Sequence, residues 1–182
     1  GPIFTILAIL LFVNAFNYTD GVDGLAITQF LVFICYINYL IDDKSISYAL
    51  INLMVIYTVI LICNFSNIKN IKLFFGDSGS LMTGFLISFL TILAYVKFQI
   101  HPIKLAYALS YPVYDFLRVN IIRLKNKKKL FQPGKDHLHH LILNKFSKNH
   151  FKVTLIISFC TIVTIGFGNL IFFYLNSFFS LT

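Results

Sequence analysis

Five apolar runs dominate the sequence, at residues 24–41, 48–65, 80–97, 103–121 and 153–175. Each is long enough, or nearly so, to cross the hydrocarbon core of a bilayer, which takes about 20 residues of helix. Little else remains in a chain of 182 residues: 58% are apolar, 12% are charged, and mean hydropathy is +0.80. A water-soluble fold of this size leaves much of its surface exposed and cannot hide so much apolar area. Soluble, disordered and collagen-like classes are therefore excluded. The expected fold is an all-α integral membrane protein: a bundle of about six transmembrane helices forming one domain over 1–182. The sixth run, 3–16, is too short to cross alone. The chain opens on Gly1-Pro2 inside it, without the basic start or cleavage site of a signal peptide. We read the sequence as the C-terminal part of a longer protein with its first helix truncated, or as one whose N-terminus is misassigned; both readings expect further sequence upstream.

Charges are costly in such a chain, so their positions carry information. Fifteen Lys and Arg face seven acidic residues, all of them Asp. Placing the segments 17–23, 64–79 and 118–152 on one side of the membrane gathers 12 of the 15 basic residues there. The positive-inside rule makes that side cytoplasmic and accounts for the basic run better than nucleic-acid binding does. The one long hydrophilic stretch, the basic loop at 122–152, belongs to the same side. Its Lys125–Lys129 run reads as solvated charge near anionic headgroups. Cys35, Cys63 and Cys160 show no C-x-x-C spacing and are expected to be small buried hydrophobes.

Three polar motifs meet on the cytoplasmic side. The first spans residues 14–26, NAFNYTDGVDGLA, with Asn17, Asp20 and Asp23. The second, FFGDSGSLMTGF at 74–85, holds Phe74 and Asp77. The third runs from PVYDFLRVNIIR at 112–123 to DHLHHLIL at 136–143, with His137, His139 and His140. Together they hold five of the seven Asp and three of the five His. Such a gathering at one membrane face is the signature of a functional site. The Asp-Gly dipeptides of the first motif make turns that let backbone approach a ligand, though a plain connecting turn is an equal reading. The EF-hand spacing is absent. In the second, a glycine-rich helix start suits phosphate oxygens. Asp77 there can hold Mg2+ or simply cap the helix. Its likeness to a serine-protease segment is rejected, because an apolar span follows. Asp115 and Arg118, at i and i+3, are expected to pair and orient the following loop, on a helix kinked by Pro112. His137 and His140 would share a face if their segment is helical. His101 and His150 read as ordinary boundary residues. Asp42-Asp43 falls on the opposite side and is left out of the site.

Taken in this order, the three motifs resemble the polyprenyl-phosphate N-acetylhexosamine-1-phosphate transferases, the MraY/WecA family. The HLHH form is closer to the WecA and teichoic-acid branch. The resemblance covers essentially the whole chain but only about the C-terminal half of a family member. It implies transfer of a sugar-1-phosphate from a UDP-N-acetylhexosamine, UDP-GlcNAc first among them, to undecaprenyl phosphate, with release of UMP. It also implies a multi-pass protein of the bacterial inner membrane that opens a cell-envelope pathway such as O-antigen, lipopolysaccharide or wall synthesis. By resemblance, Asp77 binds Mg2+ (or Mn2+), Asp23 and Phe74 line the uracil pocket, and Asn17 and Asp20 lie near the diphosphate or sugar. His137, His139 and His140 contact phosphate or sugar, and Asp20, Asp77 and the three His form the catalytic set. Oligomeric state stays open, a homodimer included. One departure is marked: family members carry an adjacent Asp-Asp motif upstream, absent here, so the chain alone is expected to be inactive. Two competing readings stand beside this one. A transporter would carry ionisable groups at mid-membrane depth, and a non-catalytic membrane fragment would lack that Asp-Asp motif.

Overall fold

The computed structural model describes residues 1–127, 129, 134 and 136–180, the side chains of 176–180 excepted. Lys128, Lys135 and positions 130–133 of the basic loop, with 181 and 182, lie outside the described residues. All regular structure among the described residues is helical: α1 (Pro2–Asn17), α2 (Leu25–Leu40), α3 (Lys44–Phe65), α4 (Gly76–Val96), α5 (Pro102–Ala108), α6 (Ser110–Lys125), α7 (Leu138–Lys145) and α8 (His150–Ser180). Helices α3, α4 and α8 are long and apolar enough to cross a membrane, while α1 and α2 are apolar but shorter. The chain is thus an all-α membrane protein, as its run lengths predict.

The run expected as a single span at 103–121 is split at Leu109 into α5 and α6. Pro112 has no N–H for the carbonyl of Ala108, and its ring crowds that carbonyl. The break therefore falls one turn before the proline, at Leu109, with φ −97° and ψ 7°.

Helix α2 is the central post. Leu25, Ala26, Ile27, Gln29, Phe30, Phe33, Ile34 and Ile37 are buried around most of its circumference. It packs between α3 and α8. Helix α3 turns only one seam inward, Leu50, Tyr57 and Asn64 at heptad spacing. Its other apolar side chains, such as Val55 and Ile62, are exposed, as lipid-facing residues are. Lipid tails are as apolar as leucine, so close packing and buried hydrogen bonds hold these helices together. Gln29 of α2 donates to Ser158 Oγ at 3.4 Å and accepts from Thr161 Oγ1 at 3.0 Å. Tyr36 donates to Asn169 at 2.7 Å, and the Tyr57 and Thr83 hydroxyls meet at 2.7 Å. The expectation of buried cysteines is corrected: Cys35 and Cys160 are exposed on helix faces. In a bilayer an apolar thiol has no need of a protein interior.

The three loops that sequence placed on one side do meet. The α1–α2 turn touches both the α3–α4 connection and the α7–α8 region. A small apolar cluster of Val22, Leu25, Tyr111, Val153 and Ile157 supports this end of the bundle.

Candidate active site

The α1–α2 turn is short and tightly bonded. Thr19 and Asp20 donate their N–H groups back to the carbonyls of Phe16 and Asn17, at 2.9 and 3.1 Å. This presents Asp20 toward the start of α4. Burial pushes the Asp20 carboxyl up to about 7, and the neighbouring charges of Asp77 and Asp23 push the same way, against a backbone hydrogen bond from Gly76. Asp77 lies inside the first turn of α4 and is exposed. The capping alternative for this motif is not taken up: the cap position is Phe75, and no side chain caps the helix there. Ser80 instead donates to the carbonyls of Gly76 and Asp77, at 3.0 and 3.2 Å.

Gly21 brings the histidines against this turn. A Cβ at position 21 would stand 2.3 Å from His139 Nε2 and 3.0 Å from His140 Nε2. Glycine is required here because the backbone touches the imidazoles. His139 is fully buried, and its Nδ1 meets the Tyr111 hydroxyl at 3.2 Å. Burial lowers His139 to about 3, with His140 adding to the effect, so the ring stays neutral. The expected pairing of His137 with His140 on one helix face is corrected. His137 is the residue before α7, with φ −69° and ψ 151°, so the i, i+3 rule does not reach it. It stacks instead on His139, ring centroids 5.5 Å apart and 7° from parallel, and meets the Tyr18 ring at 5.0 Å with a 35° tilt. His139 and His140 lie 4.4 Å apart.

A second group forms around Asp23. Lys72 Nζ lies 3.1 Å from its carboxylate and 5.5 Å from the Phe74 ring centroid. His150 Nδ1 accepts the Asp23 N–H at 3.3 Å, and Thr154 donates to the Asp23 carbonyl at 2.9 Å. Phe74 is 76% exposed, an aromatic face open to solvent with a cation at its edge. The two groups adjoin through Asp20 and Asp23, whose charges interact.

Six of the eight expected site residues thus fall into the first group or beside it: Asp20, Asp77, His137, His139, His140 and Asp23. Phe74 joins through Lys72. Asn17 contributes its carbonyl to the turn. Sequence reasoning passed over His150, set aside as a boundary residue, although it opens a span on the site's own side. It also missed Lys72, two positions before Phe74, and Tyr111 and Tyr18, which only folding brings to the histidines. His101 accepts the Ile103 N–H at the start of α5. Asp43 caps α3, accepting from Ser45 and Ile46 at 3.0 and 3.2 Å, and sits 3.5 Å from Lys97. Those bonds, the one from Ile46 foremost, hold Asp43 below the usual carboxylate range. Its role is structural, at the end of α3 remote from Phe65 and the site.

Among the described residues no three His, Cys or acidic side chains form a metal cage. Mg2+ does not ask for one: it keeps several waters and takes one or two carboxylates together with phosphates. The Asp20–Asp77 pair fits that demand: burial chiefly disfavours the Asp20 carboxylate, the charge of Asp77 adds to this, and a cation between the two would offset both.

A sequence model of glycosyl transferase family 4 matches residues 1–95. The undecaprenyl-phosphate alpha-N-acetylglucosaminyl 1-phosphate transferase of Thermotoga maritima is 29% identical over 81% of this chain and 45% of its own length. The probable undecaprenyl-phosphate N-acetylglucosaminyl 1-phosphate transferase of Bacillus subtilis is 32% identical over 84% of the chain and 43% of its own. The decaprenyl-phosphate N-acetylglucosaminephosphotransferase of Mycobacterium leprae is 29% identical over 88% and 46%. The chain therefore spans less than half the length of these relatives. No solved structure gives a significant match.

Proposed function

The chain belongs to glycosyl transferase family 4, and from that premise we propose that the complete protein moves a sugar-1-phosphate from a UDP-N-acetylhexosamine to undecaprenyl phosphate. UMP is the second product, and the site faces the cytoplasm of a bacterial plasma membrane. The observation that carries this reading is the meeting of three segments far apart in sequence. Gly21 lies against His139 and His140, while the adjacent Asp20 faces Gly76 and Asp77.

The arrangement suits two anionic substrates. One phosphate is anchored to lipid and must be met at the membrane surface; the other arrives on a soluble nucleotide. Asp77 and Asp20 would hold Mg2+, and bound Mg2+ supplies charge that stabilises the transferring and leaving phosphates. The chain's own groups do the rest. The first turn of α4 offers backbone N–H groups and a positive dipole end to phosphate oxygens. Asp23, steadied by Lys72 and His150, would hydrogen-bond the uracil while Phe74 stacks on it. Neutral His139 packs the turn and holds Asp20 in place.

The names of these relatives support the polyprenyl phosphate acceptor and N-acetylglucosamine as the sugar. The transporter reading is less well served, because the site groups gather at one end of the bundle. The test is UMP release by the full-length protein in detergent, from UDP-GlcNAc and undecaprenyl phosphate, with Mg2+ titrated. Release that EDTA abolishes, and that Asp77→Asn reduces at least about 100-fold, is expected. Silence of the folded protein across a panel of UDP-N-acetyl sugars overturns the reading.

A further inference from the structure

Asp115 lies on α6 with its carboxylate 3% exposed, among the most buried charges described. Its two oxygens have separate duties. Oδ1 accepts from Arg118 Nη2 at 2.8 Å, Arg118 Nε at 3.2 Å and the Leu138 N–H at 2.9 Å. Oδ2 meets only His137 Nδ1 among the contacts described, at 2.8 Å. Arg118 also donates to the Asp136 carbonyl at 2.6 Å. Residues 136, 137 and 138 are thus all tied to one ion pair on α6, and the start of α7 is set by it.

The proton position on His137 follows from this division. Arginine does not deprotonate in proteins, and a carboxylate paired with it acts as acceptor only. The His137 nitrogen facing Oδ2 must therefore be the donor, so Nδ1 carries a proton. His137 Nε2 is buried and has no hydrogen-bond partner among the described residues; His139 Nε2, beside Gly21, is in the same state. Buried polar atoms in folded proteins almost always have partners. With its proton on Nδ1, His137 has an acceptor at Nε2, on a ring stacked against His139 and near the turn carrying Asp20, so this nitrogen calls for a ligand that donates, as the P–OH of a monoprotonated phosphate does.

We propose that Asp115 is a positioning residue of the transfer reaction: it fixes the proton of His137 on Nδ1 and leaves Nε2 as the general base. This deepens the transferase reading and rests on it. As the acceptor's phosphate oxygen bonds the donor's β-phosphorus, that monoprotonated phosphate passes its proton to Nε2. The bond from the β-phosphorus to the bridging oxygen breaks, and UMP leaves with its electron pair. The imidazolium, stabilised by Asp115 at Nδ1, returns the proton to the departing UMP. An oriented base of this kind contributes about 100- to 10,000-fold to a rate.

The arrangement gives Asp115→Asn a specific consequence. Arg118 and Leu138 demand an acceptor at Oδ1, so the amide oxygen stays there and the amide nitrogen faces His137. That nitrogen donates to Nδ1, and the ring proton moves to Nε2. The experiment is 15N–1H correlation of the histidine rings in the full-length, detergent-solubilised protein, with His137 assigned by loss of its signals in His137→Gln. Wild type should show the proton on Nδ1, and Asp115→Asn should show it on Nε2. The variant's kcat should fall about 100-fold or more with KM for the UDP-sugar within about twofold. A wild-type His137 protonated on Nε2 alone overturns the proposal, and this needs no variant to fold. So does an Asp115→Asn enzyme with the shifted tautomer and an unchanged kcat. A folded wild type that shows the expected tautomer but transfers no sugar phosphate defeats the transferase reading while leaving the proton assignment intact.

Discussion

Replacing Gly21 by Ala tests whether the α1–α2 turn and the histidines form one site. The added Cβ would stand 2.3 Å from His139 Nε2, where ordinary contact begins at 3.4 Å, so roughly 1.1 Å must be found. His139 has no room to give it. The ring is fully buried, held by Tyr111 at 3.2 Å and flanked by His137 and His140. The turn must move instead, carrying Asp20 away from Asp77. Overpacking of this size destabilises by about 1–3 kcal/mol, and a displacement of about 1 Å in a catalytic group lowers a rate roughly 100-fold. Gly166→Ala is the control, because a Cβ there meets nothing within 4 Å. The assay is the initial rate of UMP release by the full-length enzyme, with thermal midpoints of both variants measured in the same detergent. Gly21→Ala should lose about two orders of magnitude in rate, and Gly166→Ala should match wild type. A Gly21→Ala enzyme with wild-type rate and midpoint would refute the packing of the turn on His139.

Three further outcomes are expected. His139, depressed from 6.5 to about 3 by burial, binds a proton far more readily when unfolded. Its contribution is therefore complete above pH 6.5 and is lost as pH falls from there toward 3, by about 2 kcal/mol at pH 5. His139→Gln should flatten that part of the midpoint-against-pH curve. Thr161→Val leaves Gln29 Oε1 without its 3.0 Å donor and should lower stability by about 1 kcal/mol, read as a lower thermal midpoint. Lys72→Met removes one of the two partners of Asp23, leaving His150, and removes the cation beside Phe74. It should raise KM for the UDP-sugar while kcat stays within about twofold, the mark of lost uniform binding; a kcat loss at constant KM contradicts that placement.

Much of the architecture was legible before folding because a bilayer imposes a length rule. Runs 24–41, 48–65 and 80–97 correspond to α2, α3 and α4 to within a few residues, and 153–175 lies within α8. Lys and Arg placement was enough to bring Asp20, Asp77 and the 137–140 histidines to a common side, because charges stay at boundaries. The split of α5 from α6 was legible as a cause, Pro112, but not as a position, since a proline disrupts the carbonyl four residues before it.

The fine structure of the site came from tertiary contact alone. Nothing local distinguishes His150 from His101, yet one meets Asp23 and the other caps α5. Helical spacing paired His137 with His140, but the Asp115–Arg118 pair on another helix holds His137 outside α7 and stacks it on His139. Gly21 looked like a turn residue, and its reason proved to be an imidazole more than a hundred positions away. The physical division is between two kinds of term. Transfer of a side chain between water and lipid depends on the residue itself and can be summed along a sequence. The proton on a buried ring, the space beside a glycine and the pKa of a carboxylate depend on which atoms from distant segments lie within a few ångströms.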